Sequence, residues 1–251
     1  METRRPVTRI GSSTADTARL KMRGRDTLHD VLGRMSFGEA FFLIATGRTA
    51  DDMARKIMDA ALIILMDHGI TPTAIVARMV ADSLPTQPQV AVAAGLTMIG
   101  DKFVGSMSSV GEYLLKGIDQ PDPAAWVKQF VADAQKSRVR LAGFGHPYYR
   151  PTDPRADRLF EIAREAGVKG RFIDLIEMIG RELSAARPVT LNVTAALGAI
   201  LCEIDFPPAA MRGIAVVGRA AGLVAHVEEE REEPTAAAFM DFSSTIEYRE
   251  D

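Results

Sequence analysis

The reactive side chains of this chain are few enough to weigh singly. It has four histidines and one cysteine in 251 residues. His146 stands in Gly143-Phe144-Gly145-His146-Pro147, and Tyr148, Tyr149, Arg150 and Arg155 follow within nine residues. Two glycines leave backbone N–H groups approachable, so such a loop can hold an anion or the edge of a nucleotide base. A plain tight turn explains the glycines equally, but the phenols and cations beside it suit a polyanionic ligand better. His68 follows Asp67 where a helix should end, beside Gly69, and is read either as a helix cap or as a site residue. Arg219 interrupts an apolar helix in Val217-Gly218-Arg219-Ala220-Ala221-Gly222. A buried guanidinium needs an anion, which a protein carboxylate or a ligand can supply. Asn192 and Thr194 open another apolar helix and either cap it or face a cleft.

The other two histidines read as structural. His29 has Asp26 and Asp30 for neighbours and suits the surface, while His226 sits just before Glu228 to Glu230, near the expected end of its helix. Cys202, among Ile200, Leu201 and Ile204, reads as a buried core thiol. The histidines are not spaced as metal ligands, and no carboxylate cluster accompanies them, so no metal is expected.

Helical punctuation positions these groups. Ser36 to Glu39 is a capping box before an apolar run that Gly47 can close. Thr49-Ala50-Asp51-Asp52 opens the next helix, whose Ile57, Ala61, Leu62 and Leu65 recur at helical spacing until Gly69. Thr71-Pro72 and Asp122-Pro123 are N-caps followed by proline, Arg155 to Ala166 is amphipathic, and Pro207-Pro208 precedes a long apolar helix into Ala225. No segment alternates with the period of a strand. The fold class is therefore all-α. Turns at 119–123 and 205–208 suggest a large helical domain from 1–119 and 206–251, a smaller helical lobe from 120–205, and a ligand cleft between them.

Composition narrows the partners. Net charge is -3 and hydrophobic residues make up 47%, so a nucleic-acid surface is not indicated. The longest uninterrupted apolar stretch, Ala60 to Met66, falls short of the ~20 residues of a membrane span. The basic start leads into no apolar signal region, and a cytoplasmic location is the default expectation.

Taken in order, the motifs resemble the citrate synthase superfamily. They are Met22-Arg23-Gly24 with Phe37 to Arg48, Asp67-His68-Gly69, Gly143 to Pro147 with Asp153-Pro154-Arg155, Leu191-Asn192-Val193 and Gly218-Arg219-Ala220. The resemblance implies aldol chemistry at an acyl-CoA thioester, with coenzyme A as part of the substrate or product and a di- or tricarboxylate as the other part. By position His146 would polarise the oxygen at the breaking or forming C–C bond, as hydrogen-bond donor or general acid/base. His68, Arg155, Arg219 and Asn192 would bind the carboxylate-bearing substrate, and Ala142, Gly143, Phe144 and Gly145 would lie along coenzyme A. A homodimer is implied, and the chain is expected to lack much of the N-terminal helical region of citrate synthase.

Two departures refine this. Gly100-Asp101-Lys102-Phe103-Val104-Gly105 stands where citrate synthase has a histidine segment, and is similar to Gly-Asp-Arg-Phe-Gly-Gly of the citryl-CoA lyase module of ATP-citrate lyase. The lyase branch is therefore expected. Thr194 stands where the family has its catalytic aspartate, and a threonine hydroxyl is no carboxylate base near neutral pH. It is left to position a water or to donate to the thioester oxygen. The alternatives are a different acyl-CoA substrate, or a non-catalytic homologue that binds CoA esters and carboxylates.

Overall fold

In the computed structural model, which describes residues 6–13, 15–100, 105–185 and 187–250, several helices begin where a side chain caps the first backbone N–H groups. Two antiparallel two-residue strands, β1 (Lys21–Met22) and β2 (Arg25–Asp26), precede a single π-helical turn over Thr27–Val31. Eleven α-helices follow among the described residues: α1 (Phe37–Thr46), α2 (Asp52–Met66), α3 (Pro72–Ser83), α4 (Pro88–Leu96), α5 (Met107–Ile118), α6 (Pro123–Lys136), α7 (Pro154–Glu165), α8 (Arg171–Ser184), α9 (Val193–Glu203), α10 (Pro208–Glu232) and α11 (Ala236–Ser243). The all-α expectation holds. Of the lyase-branch segment 100–105, residues 101–104, Phe103 among them, lie outside the described residues.

The caps show why these segments are helices. Ser36 and Glu39 form the full capping box of α1, and Gly47 ends it at φ 76°. Asp51, rather than Thr49, caps α2 by accepting from the Ala54 N–H. The glycine before α8 offers no side chain, so Glu203, at the end of α9, accepts the Phe172 and Ile173 N–H groups at 2.6 and 3.2 Å. Arg23 donates to the Ile44 carbonyl at the end of α1, and Arg48 to the carbonyls of Ile204 and Asp205 just past α9. The opening motif is thus a pair of helix C-terminal clamps.

Helix α9 lies inside the main core. Ala195 to Cys202 are all buried, in one cluster with Ile57, Leu62, Leu114, Phe160, Ile176 and Ile214. Burial pushes the Cys202 thiol up to about 12, so it is an inert part of that core.

By length and composition α10 could cross a membrane. Here its Met211, Ile214, Ala215 and Leu223 are fully buried in the protein's own core. It also runs further than its apolar pattern suggested, through the acidic run to Glu232.

The seam that matters most for the site is α10 on α2. A Cβ on Gly218 would stand 2.8 Å from the Leu62 carbonyl oxygen, and one on Gly222 would run into the Met66 carbonyl. Two glycines four residues apart therefore let α10 press against the last turn of α2. Arg219, between them, is delivered to that turn. Replacing Gly222 by alanine should force the helices apart and lower stability by at least ~1–3 kcal/mol, measured as a reduced urea midpoint at unchanged m. An unchanged midpoint would show that the seam can relax.

Candidate active site

The loop after α6 is pinned before it reaches His146. Tyr113 donates its hydroxyl proton to the Ala142 carbonyl at 2.9 Å. The Asn192 N–H donates to the Gly143 carbonyl at 3.0 Å, and the Gly145 N–H to the Thr190 carbonyl at 2.7 Å, which pairs Phe144 with Leu191 as a single β-bridge. Gly143 has φ +89°, and a Cβ there would meet the Ala195 Cβ at 2.7 Å, so both backbone angle and space demand glycine. Phe144 turns its ring into the core, while its own N–H and C=O hydrogen-bond to no described residue.

Asn192 is occupied by this architecture. Its Oδ1 accepts from the Thr194 and Ala195 N–H groups and caps α9, and its amide donates to the Gly145 carbonyl at 2.9 Å. It ties the histidine loop to the start of α9.

His146 is held with its tautomer defined. Nδ1 lies 3.1 Å from the backbone N–H of both Tyr148 and Tyr149, and both can only donate. Nδ1 is therefore an acceptor and the neutral ring carries its proton on Nε2. Nε2 is 3.4 Å from Nη2 of Arg155. Two backbone donors at shorter range outweigh that single long contact, so the Nε2–H and the guanidinium are neighbouring donors facing a common space. An acceptor placed between them, such as a substrate oxygen, satisfies both. Of the two roles expected for His146, donor and proton acceptor, this geometry provides the donor.

Asp153, fully buried, organises the arginine. Its Oδ1 accepts from the Arg155 N–H at 3.1 Å and from Nε at 2.9 Å, while Oδ2 accepts from Nη2 at 2.7 Å and from the Val193 N–H at 3.0 Å. Burial pushes the Asp153 carboxyl up, but the hydrogen bonds and charge of Arg155 and the backbone N–H groups outweigh it and hold it below the usual range. Arg155 stacks over the Tyr149 ring at 4.6 Å, and its Nη1 reaches Nδ1 of His68 at 3.1 Å. The rings of His68 and His146 stand 6.4 Å apart. His68, from the end of α2, and His146, from the loop before α7, are thus brought to one guanidinium.

Arg219, only 3% exposed, meets no carboxylate among the described residues. Nε donates to the Leu65 carbonyl at 3.0 Å, and Nη1 to the Thr73 hydroxyl at 2.9 Å and the Thr71 hydroxyl at 3.5 Å. Its anion is the negative end of the α2 dipole, helped by two hydroxyls at the start of α3. Burial lowers its pKa, partly offset by Asp67.

Burial lowers the pKa of His68, and the charges of Arg155 and Arg219 lower it further. The pKa of His146 falls for the same reasons, burial first and then Arg155. Burial first, and then the neighbouring cations, favour the neutral form of both rings.

Thr194 lies in the first turn of α9, next to Val193, whose N–H meets Asp153. No described residue hydrogen-bonds its hydroxyl. Sequence reasoning missed Asp153 as the clamp, and it picked out Arg150 but missed Arg140 and Arg187 beside it in a cavity of about 800 Å³ next to His146. That cavity is lined by Arg140, Arg150 and Arg187 with Gly145 and Thr190. The three arginines are spread over 48 positions, too far apart for local pattern to unite them.

This all-helical fold, with a histidine loop and an arginine held by a buried aspartate, matches a known family. The family model for the C-terminal domain of citrate synthase fits residues 4–237, and the chain belongs to the citrate synthase family. More narrowly, its fold superposes on citryl-CoA lyase from Hydrogenobacter thermophilus with a TM-score of 0.88 and 30% identity, covering 99% of this chain and 96% of that one. It also superposes on ATP citrate lyase from Methanothrix soehngenii, solved in complex with citrate and coenzyme A. There the TM-score is 0.80 and the identity 20%, over 100% of this chain and 43% of that one. The citrate synthase of Synechocystis sp. is 23% identical over 203 residues, 78% of this chain and 50% of the relative. The chain spans about half the length of the curated relatives it matches.

Two outcomes follow. Asp153→Asn should cost about 3 kcal/mol in urea unfolding, because it leaves Arg155 without its counter-charge in a site where the guanidinium is 16% exposed. A loss under ~1 kcal/mol would mean the clamp is dispensable. The histidines set a pH dependence. Their folded pKa values lie below the ordinary 6.5, so the unfolded chain binds protons first as pH falls. Their contribution is therefore fully present above pH 6.5 and is lost as pH drops through the lower folded values. Unfolding midpoints at pH 7.5 and 5.5 should differ less in His68→Asn/His146→Asn protein than in the parent. Equal pH dependence in both would refute the assignment.

Proposed function

We propose that this protein is a citryl-CoA lyase-like enzyme, cleaving a citryl-CoA-type 3-hydroxyacyl thioester into acetyl-CoA and a 2-keto acid such as oxaloacetate. The observation that carries the reading is the convergence of the His146 Nε2–H and the Arg155 guanidinium on one space, with His68 on the same guanidinium. In cleavage the tertiary hydroxyl becomes a carbonyl as its proton passes, relayed by water, to the carbon that the breaking C–C bond leaves behind. The electrons of the breaking C–C bond pass to the thioester, and the resulting enolate takes a proton to give the acetyl group. Negative charge on the hydroxyl oxygen is what two converging donors stabilise. Arg155 and His68 supply the donors for the substrate carboxylates, and the buried Arg219 adds positive field behind His68. Thr194, in the first turn of α9, provides a hydroxyl for the thioester oxygen.

Coenzyme A fits the other side of His146. Arg140, Arg150 and Arg187 line the adjoining cavity with a charge suited to phosphates, and the free backbone groups of Phe144 suit the edge of a base. The H. thermophilus structure is that of a citryl-CoA lyase, and the M. soehngenii structure holds citrate and coenzyme A. Both support this reading. Thr194 favours a second one, a protein that binds CoA esters without turning them over.

Incubation with citryl-CoA should release oxaloacetate, detected by coupled reduction with malate dehydrogenase. His146→Ala should reduce the rate roughly 10²–10³-fold, the usual loss of an oxyanion donor. No product above the buffer rate from the parent protein, with turnover appearing only in Thr194→Asp, would establish the binding protein instead.

A further inference from the structure

Helix α10 presents a second polar side chain two turns after Arg219, on the same face. His226 is 14% exposed and uses both ring nitrogens. Its Nδ1 lies 3.2 Å from Nε and 3.2 Å from Nη2 of Arg78. A guanidinium has no lone pair to offer, so Nδ1 must accept, and the neutral ring carries its proton on Nε2. That proton points at Asp67, with Nε2 2.9 Å from Oδ1. Arg78 is 1% exposed and is itself fixed by the carboxylates of Glu230, at 2.9 Å, and Glu229. Glu230 is buried and also accepts the N–H groups of Thr235 and Ala236.

The hydrogen bonds therefore run one way. Arg78 donates to His226, and His226 donates to Asp67. Asp67 in turn accepts the Gly69 N–H on both oxygens, at 3.0 and 3.1 Å, which closes the turn around His68 with Gly69 at φ +68°. His68 at the crown of this turn meets Arg155. A tie between α3 and α10 for stability alone would be served by apolar packing and would need no donor at Nε2.

We propose that His226 is a positioning residue for His68: through Asp67 it fixes the turn that holds the His68 ring against Arg155. The inference rests on the reading of His68 as a carboxylate-binding residue, and its test has an arm that needs no substrate. Imidazole ¹⁵N resonances of His68 are recorded in ligand-free protein for the parent, His226→Leu and His226→Gln, and citrate affinity is measured by calorimetry. Leucine should shift the His68 resonances and weaken citrate about tenfold, the worth of one well-made hydrogen bond. Glutamine can accept from Arg78 and donate to Asp67 in the same order, and it should restore both. If the leucine variant does not fold, Asp67→Ala, at a side chain 60% exposed, should give the same His68 shift. Unchanged His68 resonances, even with a lowered Tm, overturn the proposal. A His68 shift on substitution in a protein that ignores citrate supports the positioning role and refutes His68 as a carboxylate-binding residue.

Discussion

One buried carboxylate holds the site together. Asp153 has no access to water and takes four donors, three from Arg155 and one from the first residue of α9. Removing a carboxylate from water is expensive unless its lone pairs are filled, and here they are filled by the groups that must be positioned. The start of α7, the start of α9 and the guanidinium between two histidines are thereby referred to a single point. Asn192 extends the arrangement to the glycine loop by capping α9 and grasping Gly145 with the same side chain.

The electrostatics of the cleft follow from that anchoring. Arg155 and Arg219 carry fixed charge, one neutralised by Asp153 and the other by a helix end. Between them His68 and His146 are driven toward neutrality. The result separates two tasks that one residue type could have confused: arginines hold charge, and imidazoles offer directed N–H groups whose orientation the backbone decides.

Much of this was legible in the chain, and the rest was hidden for definable reasons. Caps such as Ser36–Glu39, Asp122 and Gly47 act within four residues, so their helices could be placed by inspection. The loop from Gly143 and the arginine nine residues on were visible as a motif. Arg219 was recognised as a charge needing a partner, but the partner is the carbonyl of Leu65, 154 positions away, and no composition marks a helix terminus as an anion for a distant residue. The apolar pattern of the sequence puts His226 near a helix end. Helix α10 continues through the glutamates that follow it, and the contacts of His226 are across the fold, with Arg78 and Asp67. Asp153 was visible only as the first residue of the Asp153-Pro154-Arg155 motif, and its second oxygen, bound 40 positions on, is what makes it central.

The glycine seam between α2 and α10 has a consequence for how substrates can be exchanged in this scaffold. Its spacing is set by bare backbone against backbone, and backbone cannot be trimmed or lengthened by substitution. Arg219 and the turn carrying His68 therefore share one seam whose spacing is set by backbone. Variation on the other side of His68 falls instead to side chains such as Tyr149 and Thr194, which can change without moving a helix.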